Sequence, residues 1–267
     1  MSATTEPLFP AWWGEFTLQE GQCGLWQVGP TRVWAQHLAR EWRLAHDGGG
    51  DPADTSVSME LPCDAMGEAA LTRFSIREPG ERLRLTPLLA DRSVISRPER
   101  PLVIPPWEDV TLYVSSPLWM RVEAVGPGIT LQEFPLFRPS DTWFGPLTRE
   151  GGLCYASSTL ALTDPSGFPH TPQRAVTPVL IRNRAEESLT IERLNLPVPF
   201  LTLYRGADGT LWTQQVRLDR DEEKGELAML QLDAAAPEQA GGGERLAPPR
   251  RPAEKNLMVQ AFSRLFG

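Results

Sequence analysis

Proline restricts this chain more than any other feature: 26 of its 267 residues are proline, about twice the usual share. Each one removes a backbone donor and fixes φ, so prolines spread this densely exclude long helices and confine strands to short runs, edges and turns. Between them the sequence has a period of two. Trp42, Leu44 and His46 alternate with Glu41, Arg43 and Ala45, and Val110, Leu112 and Val114 alternate with Thr111 and Tyr113. Successive strand residues face opposite ways, so this pattern predicts half-buried β-structure.

The same reading extends along the chain. Strands are expected at Leu71–Ile76 and Arg82–Ile95, and Leu118, Met120 and Val122 alternate again after Ser115-Ser116-Pro117, which reads as a turn. Thr177–Asn183 and Ser188–Leu194 read as a hairpin around Arg184–Glu187. Asp208-Gly209 and Lys224-Gly225 stand where hairpin turns need positive φ. The proline-rich run Arg97–Trp107 suits a connector along a sheet edge and serves as the lobe boundary. The expected architecture is therefore all-β, of antiparallel sandwich type, with packed lobes at residues 1–98 and 99–232.

Beyond Leu232 the character changes. Residues 233–252, with Ala-Ala-Ala-Pro, Gly-Gly-Gly and Pro-Pro-Arg-Arg-Pro, read as a flexible linker too poor in apolar residues to fold alone. Residues 253–267 read as an amphipathic helix. Leu257, Met258, Ala261, Phe262, Leu265 and Phe266 follow the i, i+3, i+4 rule, and Pro252 and Glu254 suit its first turn. Arg245, Arg250, Arg251, Lys255 and Arg264 make this tail basic. A helix this short needs something to dock on: its own sheet, a groove on a partner, or an anionic membrane surface.

The net charge of −8 argues against nucleic acid, which demands a basic footprint. Neither a basic apolar leader nor an apolar run of membrane-spanning length is visible, so a soluble cytoplasmic protein is expected. Cys23, Cys63 and Cys154 are far apart, and His37, His46 and His170 lack ligand spacing, so no metal, cofactor or disulfide framework is expected. The acidic glycine loop Asp47–Asp54 lacks the strand and helix that flank a phosphate-binding loop.

Three constellations bear on chemistry. Cys154 with His170, oriented by Asp141 or Asp164, would suit nucleophilic catalysis, but the sequence around them matches no cysteine-enzyme signature and Cys154 reads as a core residue. Asp141 with Glu133, or Glu186 with Glu187, would suit acid–base work but reads as solvated turns. Arg174, Arg182, Arg184 and Arg193 read as structural ion pairs, with Asp141 or Glu192 as partners. Among the tryptophans, Trp107, Trp119 and Trp143 are the candidates for stacking on a glycan. The stretch Asp141–Pro146 sets two aromatics between a turn-forming Asp and a Gly-Pro stop, and reads as a structural plug.

Asp141-Thr142-Trp143-Phe144-Gly145-Pro146, Leu153-Cys154-Tyr155-Ala156, Arg174-Ala175-Val176-Thr177-Pro178-Val179 and Glu192-Arg193-Leu194-Asn195-Leu196-Pro197-Val198-Pro199 resemble an uncharacterised prokaryotic family, domain-of-unknown-function family 432. Leu25-Trp26-Gln27-Val28-Gly29-Pro30 and Glu41-Trp42 fit the same pattern, so the resemblance covers about Gly14 to Leu232. It carries over no catalytic residues. It implies a cytoplasmic accessory role beside a small-conductance mechanosensitive channel. The expected function is thus a non-enzymatic binding or regulatory accessory protein, docking on a protein partner through Leu257, Met258, Phe262, Leu265 and Phe266. The alternative is a glycan-binding β module using Trp143, Trp119 and Trp107.

Overall fold

The computed structural model describes residues 7–67, 69–145, 151–159, 162–165, 169–220, 227–252 and 257–263. Among them are 23 strands and no helix of seven residues or more, as the proline spacing requires. The chain clusters into two compact units that are interleaved in sequence. The first is drawn from Met1–Leu88, Leu118–Arg138 and Thr171–Gln173, the second from Leu89–Pro117, Pro139–His170 and Arg174–Gly267. The contacts therefore do not divide at residue 98.

In the first unit, β1 (Gly14–Thr17) precedes a five-stranded antiparallel sheet. Its strands are β2 (Cys23–Val28), β3 (Thr31–Leu38), β4 (Glu41–Asp47), β5 (Val57–Cys63) and β6 (Leu71–Ser75), in the order β5-β2-β3-β4-β6. β7 (Arg82–Leu89) pairs with β1, from Gly14↔Leu85 to Thr17↔Arg82. The period of two in β4 is realised over its first four residues, where Trp42 and Leu44 are buried while Glu41 on the other face binds Arg43 at 2.7 Å and Arg73 at 2.5 Å; beyond them Ala45 is buried as well. Trp12, Trp26 and Trp42 are wholly buried, and each such side chain contributes about 4–6 kcal/mol of apolar transfer. Two of the indoles also donate to carbonyls, Trp12 to Pro172 and Trp42 to Pro79.

The β2–β5 register sets Cys23 opposite Cys63, with Cα atoms 5.4 Å apart and the sulfurs bonded. This corrects the expectation of unpaired cysteines. The two are 40 residues apart in sequence, and only strand pairing reveals them as neighbours. No helix among the described residues is long and apolar enough to cross a membrane.

β8 (Val94–Pro98) and β9 (Leu102–Ile104) follow, then the sixteen-residue β10 (Asp109–Ala124). The expected turn at Ser115-Ser116-Pro117 is absent because β10 runs straight through it. Its pairing with β14 (Arg174–Asn183) ends at Pro117↔Arg174, and its pairing with β11 (Ile129–Pro135) begins at Trp119↔Pro135. Proline thus stands where the strand changes partner, and its missing donor is not needed.

The second unit holds a five-stranded sheet, β12-β13-β8-β16-β23, from β12 (Ser140–Phe144), β13 (Gly152–Thr159), β8, β16 (Arg193–Leu196) and β23 (Phe262–Ser263). The expected hairpin around Arg184–Glu187 does not form: β14 pairs with β10, whereas β15 (Leu189–Ile191) pairs with β9. β17 (Leu203–Arg205) and β18 (Leu211–Thr213) do make the hairpin expected at Asp208-Gly209, with Tyr204↔Trp212. β19 (Val216–Arg220) pairs with β20 (Leu227–Leu232), the turn between them lying outside the described residues. The sheets are mixed rather than antiparallel throughout, since β8 runs parallel to β13, and β18 and β19 run parallel to β14.

The tail departs most from expectation. The supposed linker is built into the fold: Glu238–Ala240 forms a 3-10 turn, and β21 (Glu244–Ala247) pairs with β17. The supposed helix is two strands. β22 (Leu257–Gln260) pairs with β20 through Leu230↔Leu257 and Met229↔Met258, and β23 pairs with β16 through Leu194↔Phe262. Ala261 and Phe262 are buried. Sheet edges offering unpaired N–H and C=O groups outweigh the weak helical preference of a short apolar segment. Leu265 and Phe266 lie outside the described residues.

Candidate functional site

One end of the curled five-stranded sheet in the second unit is open, and the strands explain why. β8 and β13 run parallel, with Tyr155↔Val94, while β16 opposes β8 with Leu196↔Val94. Thus the starts of β8 and β13 and the ends of β12 and β16 meet at one mouth. Ile95, Phe144 and Cys154 pack together there as a buried cluster. Above them lies a pocket of about 470 Å³, walled by Leu153, Pro199 and Phe200 and rimmed by Asp91, Arg92, Ser93, Asn195 and Arg251. Its size suits a small organic ligand.

Of the stretch that reads as a plug in the sequence, Phe144 lines the pocket. Asp141, Thr142, Trp143 and Phe144 are a strand, not a loop, set against Tyr155, Cys154, Leu153 and Gly152. Alternation then sends neighbours opposite ways: Phe144 is buried at the pocket floor, whereas Trp143 is 38% exposed. A Cβ at Gly151 would run into the Trp143 indole and the Phe144 carbonyl, so glycine permits the close approach of the two chain segments.

The cations at the mouth are held in place. Arg92 lies over the Tyr155 ring at 5.4 Å and faces Asp141 at 3.4 Å, and the Tyr155 hydroxyl donates to Asp91 at 2.9 Å. Arg193 lies over Phe144 at 5.6 Å and donates to the Thr142 hydroxyl and the Trp143 carbonyl. Burial lowers the Arg193 pKa, and the charge of Arg97 adds to the effect. Arg250 donates to the Leu89 carbonyl at 2.6 Å, and the Arg251 amide donates to the Pro199 carbonyl at 3.0 Å. The Pro-Pro-Arg-Arg-Pro run therefore ends as a strap along the pocket rim.

Cys154 does not meet His170. Among the described residues its sulfur reaches the Gly152 carbonyl, at 3.5 Å, while His170 packs on Trp212. Burial pushes the Cys154 thiol up, against an opposing pull from Arg193 and Arg92, so the group is a thiol at neutral pH and a weak nucleophile. Two of the other predicted carboxylates are engaged: Glu133 binds Arg121 at 3.1 Å, and Asp141 faces Arg92 at 3.4 Å.

Arg182 and Arg184 form ion pairs as expected, but through Asp109, at 3.6 and 2.7 Å. Arg174 is different. It donates to the Ser115 and Ser157 hydroxyls and the Ser115 carbonyl, and burial pulls its guanidinium pKa down to about 10. Of the glycan candidates, Trp119 is buried, Trp143 stands beside the pocket, and Trp107 is 60% exposed with φ of 65°. Neither exposed indole lines the pocket. Of the predicted docking residues, Phe262 is a core residue, and Leu257 and Met258 lie in a paired strand. Sequence reasoning missed Arg92, Asn195 and Arg251 because their convergence depends on which strand ends share a mouth.

Comparison with known proteins gives one match. The family model described as "Protein of unknown function (DUF432)" matches residues 12–266. The match continues through the tail, which the sequence resemblance left outside. No curated protein and no solved structure matches the chain.

Proposed function

The chain belongs to the DUF432 family, and on that premise we propose that it is a non-enzymatic binding protein of regulatory or accessory kind, with its ligand site in the pocket at the mouth of the β12-β13-β8-β16-β23 sheet. The observation that carries this reading is the convergence of five chain segments on that pocket of about 470 Å³. Polar groups rim it and apolar walls line it, the composition usual for small-ligand sites. Its cysteine is held as a thiol and stands apart from His170, which favours binding over nucleophilic chemistry. Docking through a tail helix is not part of the proposal, because that segment is strand. The mechanosensitive channel implied by the family resemblance enters as the partner to which ligand occupancy is relayed.

The test is a ligand-observed NMR screen of full-length protein against benzoate, phenyl phosphate, benzyl alcohol and methyl β-glucoside. At least one should show saturation transfer that is lost in Gly152→Trp, because Gly152 lines the pocket opposite Phe144 and a Cβ there meets nothing within 4 Å. Equal signals from wild type and variant would mean that binding occurs elsewhere, and the proposal fails.

A further inference from the structure

We infer that the pocket takes a small organic anion, an oxyanion carried on an apolar ring, with Arg251 and Arg92 holding the charge; this rests on the pocket being the ligand site. The chain as a whole carries −8, yet among the described residues the pocket is lined by Arg92 and Arg251 and by one carboxylate, Asp91. Arg250 is pinned beside Arg251, and Arg193 lies over the Phe144 ring at the floor. Both Arg193 and Arg92 act electrostatically on the Cys154 sulfur, so their fields reach the pocket floor. A cationic mouth on an acidic body steers and concentrates anions.

The two rim arginines differ in what already occupies them. Arg92 faces Asp141 at 3.4 Å and Asp91 at 3.9 Å. Asp91 in turn accepts from Tyr155. These contacts orient the Arg92 guanidinium without surrounding it. The Arg251 side chain is exposed, and among the described residues it joins no ion pair, although its backbone is fixed to Pro199. A guanidinium on an anchored backbone presents a planar fork suited to a carboxylate or phosphate. Ser93 and Asn195 supply neutral polar groups on the same rim.

The apolar half of the ligand follows from the apolar part of the lining. Phe144, Leu153, Pro199 and Phe200 line the same pocket as the two arginines. A bare inorganic ion would leave that surface in water, whereas a ring would cover it. The pocket is thus built for a charge and a flat apolar body together. That pairing separates this inference from a neutral glycan site beside Trp143.

The experiment is calorimetric titration of the full chain with benzoate, phenyl phosphate, benzyl alcohol and inorganic phosphate, in wild type, Arg251→Gln and Arg92→Gln. Circular dichroism confirms that each variant is folded, and Arg251, being exposed, tolerates the change. Benzoate or phenyl phosphate should bind more tightly than benzyl alcohol and weaken as salt rises. Arg251→Gln should weaken that binding about tenfold, with a smaller loss in Arg92→Gln. If benzyl alcohol binds as well as benzoate and Arg251→Gln changes nothing, the anion inference falls while the pocket remains a ligand site. If inorganic phosphate binds as tightly as phenyl phosphate, the requirement for a ring is wrong. Failure of all four probes overturns the inference, and Gly152→Trp in the NMR screen then decides separately on the pocket.

Discussion

Replacing Phe262 by alanine tests whether the C-terminal segment belongs to the fold. The side chain is 2% exposed and its residue pairs with Leu194 on β16, so truncation removes a ring buried on all sides. Such changes cost about 3–5 kcal/mol, the transfer term and the cavity left behind acting together. The lower half of that range is expected here, because β23 is a two-residue edge strand whose surroundings can relax. At about 2–4 °C per kcal/mol for a chain of this size, the melting midpoint should fall by roughly 10 °C in differential scanning calorimetry. An amphipathic helix folded back on the sheet would also bury Phe262, so a second readout is needed. The Asn195 amide donates to the Ala261 carbonyl at 2.9 Å, a bond that only the extended tail can make. Deleting residues 253–267 should therefore speed hydrogen exchange at Asn195. If Phe262→Ala melts within about 1 °C of wild type, or the Asn195 amide is equally protected without the tail, the docked-strand account is wrong.

Two further outcomes are expected. His46 stacks on Phe134 with ring centroids 4.1 Å apart, and burial pulls its pKa below the ordinary 6.5. The unfolded state then binds a proton that the folded state refuses, so this contribution is complete above pH 6.5 and erodes as pH falls below it. Depressed carboxylates such as Glu15, held down by Arg84 and Arg82, act only below their own ordinary 4.5, which leaves the interval from 6.5 to 4.5 to histidine. Urea midpoints across that interval should slope less in His46→Phe than in wild type; identical slopes would assign the effect elsewhere. The Cys23–Cys63 bond closes a span of 40 residues, for which loop-closure entropy gives at most about 4 kcal/mol. Reduction should accordingly lower the urea midpoint of wild type and leave Cys23→Ser/Cys63→Ser unchanged.

What the sequence determined by itself is the class of structure. Dense proline and period-two patterning, as at Trp42 and Leu44, dictate short strands with defined faces, because each constraint acts within a few residues. The family signal is likewise written in contiguous motifs. Which strand pairs with which is a long-range choice, and period two says nothing about it. Hence β8 lies parallel to β13, Cys23 meets Cys63, and Pro117 sits inside a strand where a turn was expected. Leu257, Met258, Ala261 and Phe262 have helical spacing, yet the edges of β20 and β16 draw their backbone into strands. Local preference amounts to tenths of a kcal/mol per residue, and tertiary pairing overrides it. The candidate site belongs wholly to that second level. Arg92, Phe144, Asn195 and Arg251 are separated by long stretches of sequence, and they share a pocket because the ends of β8, β12 and β16 and the rim strap meet at one mouth.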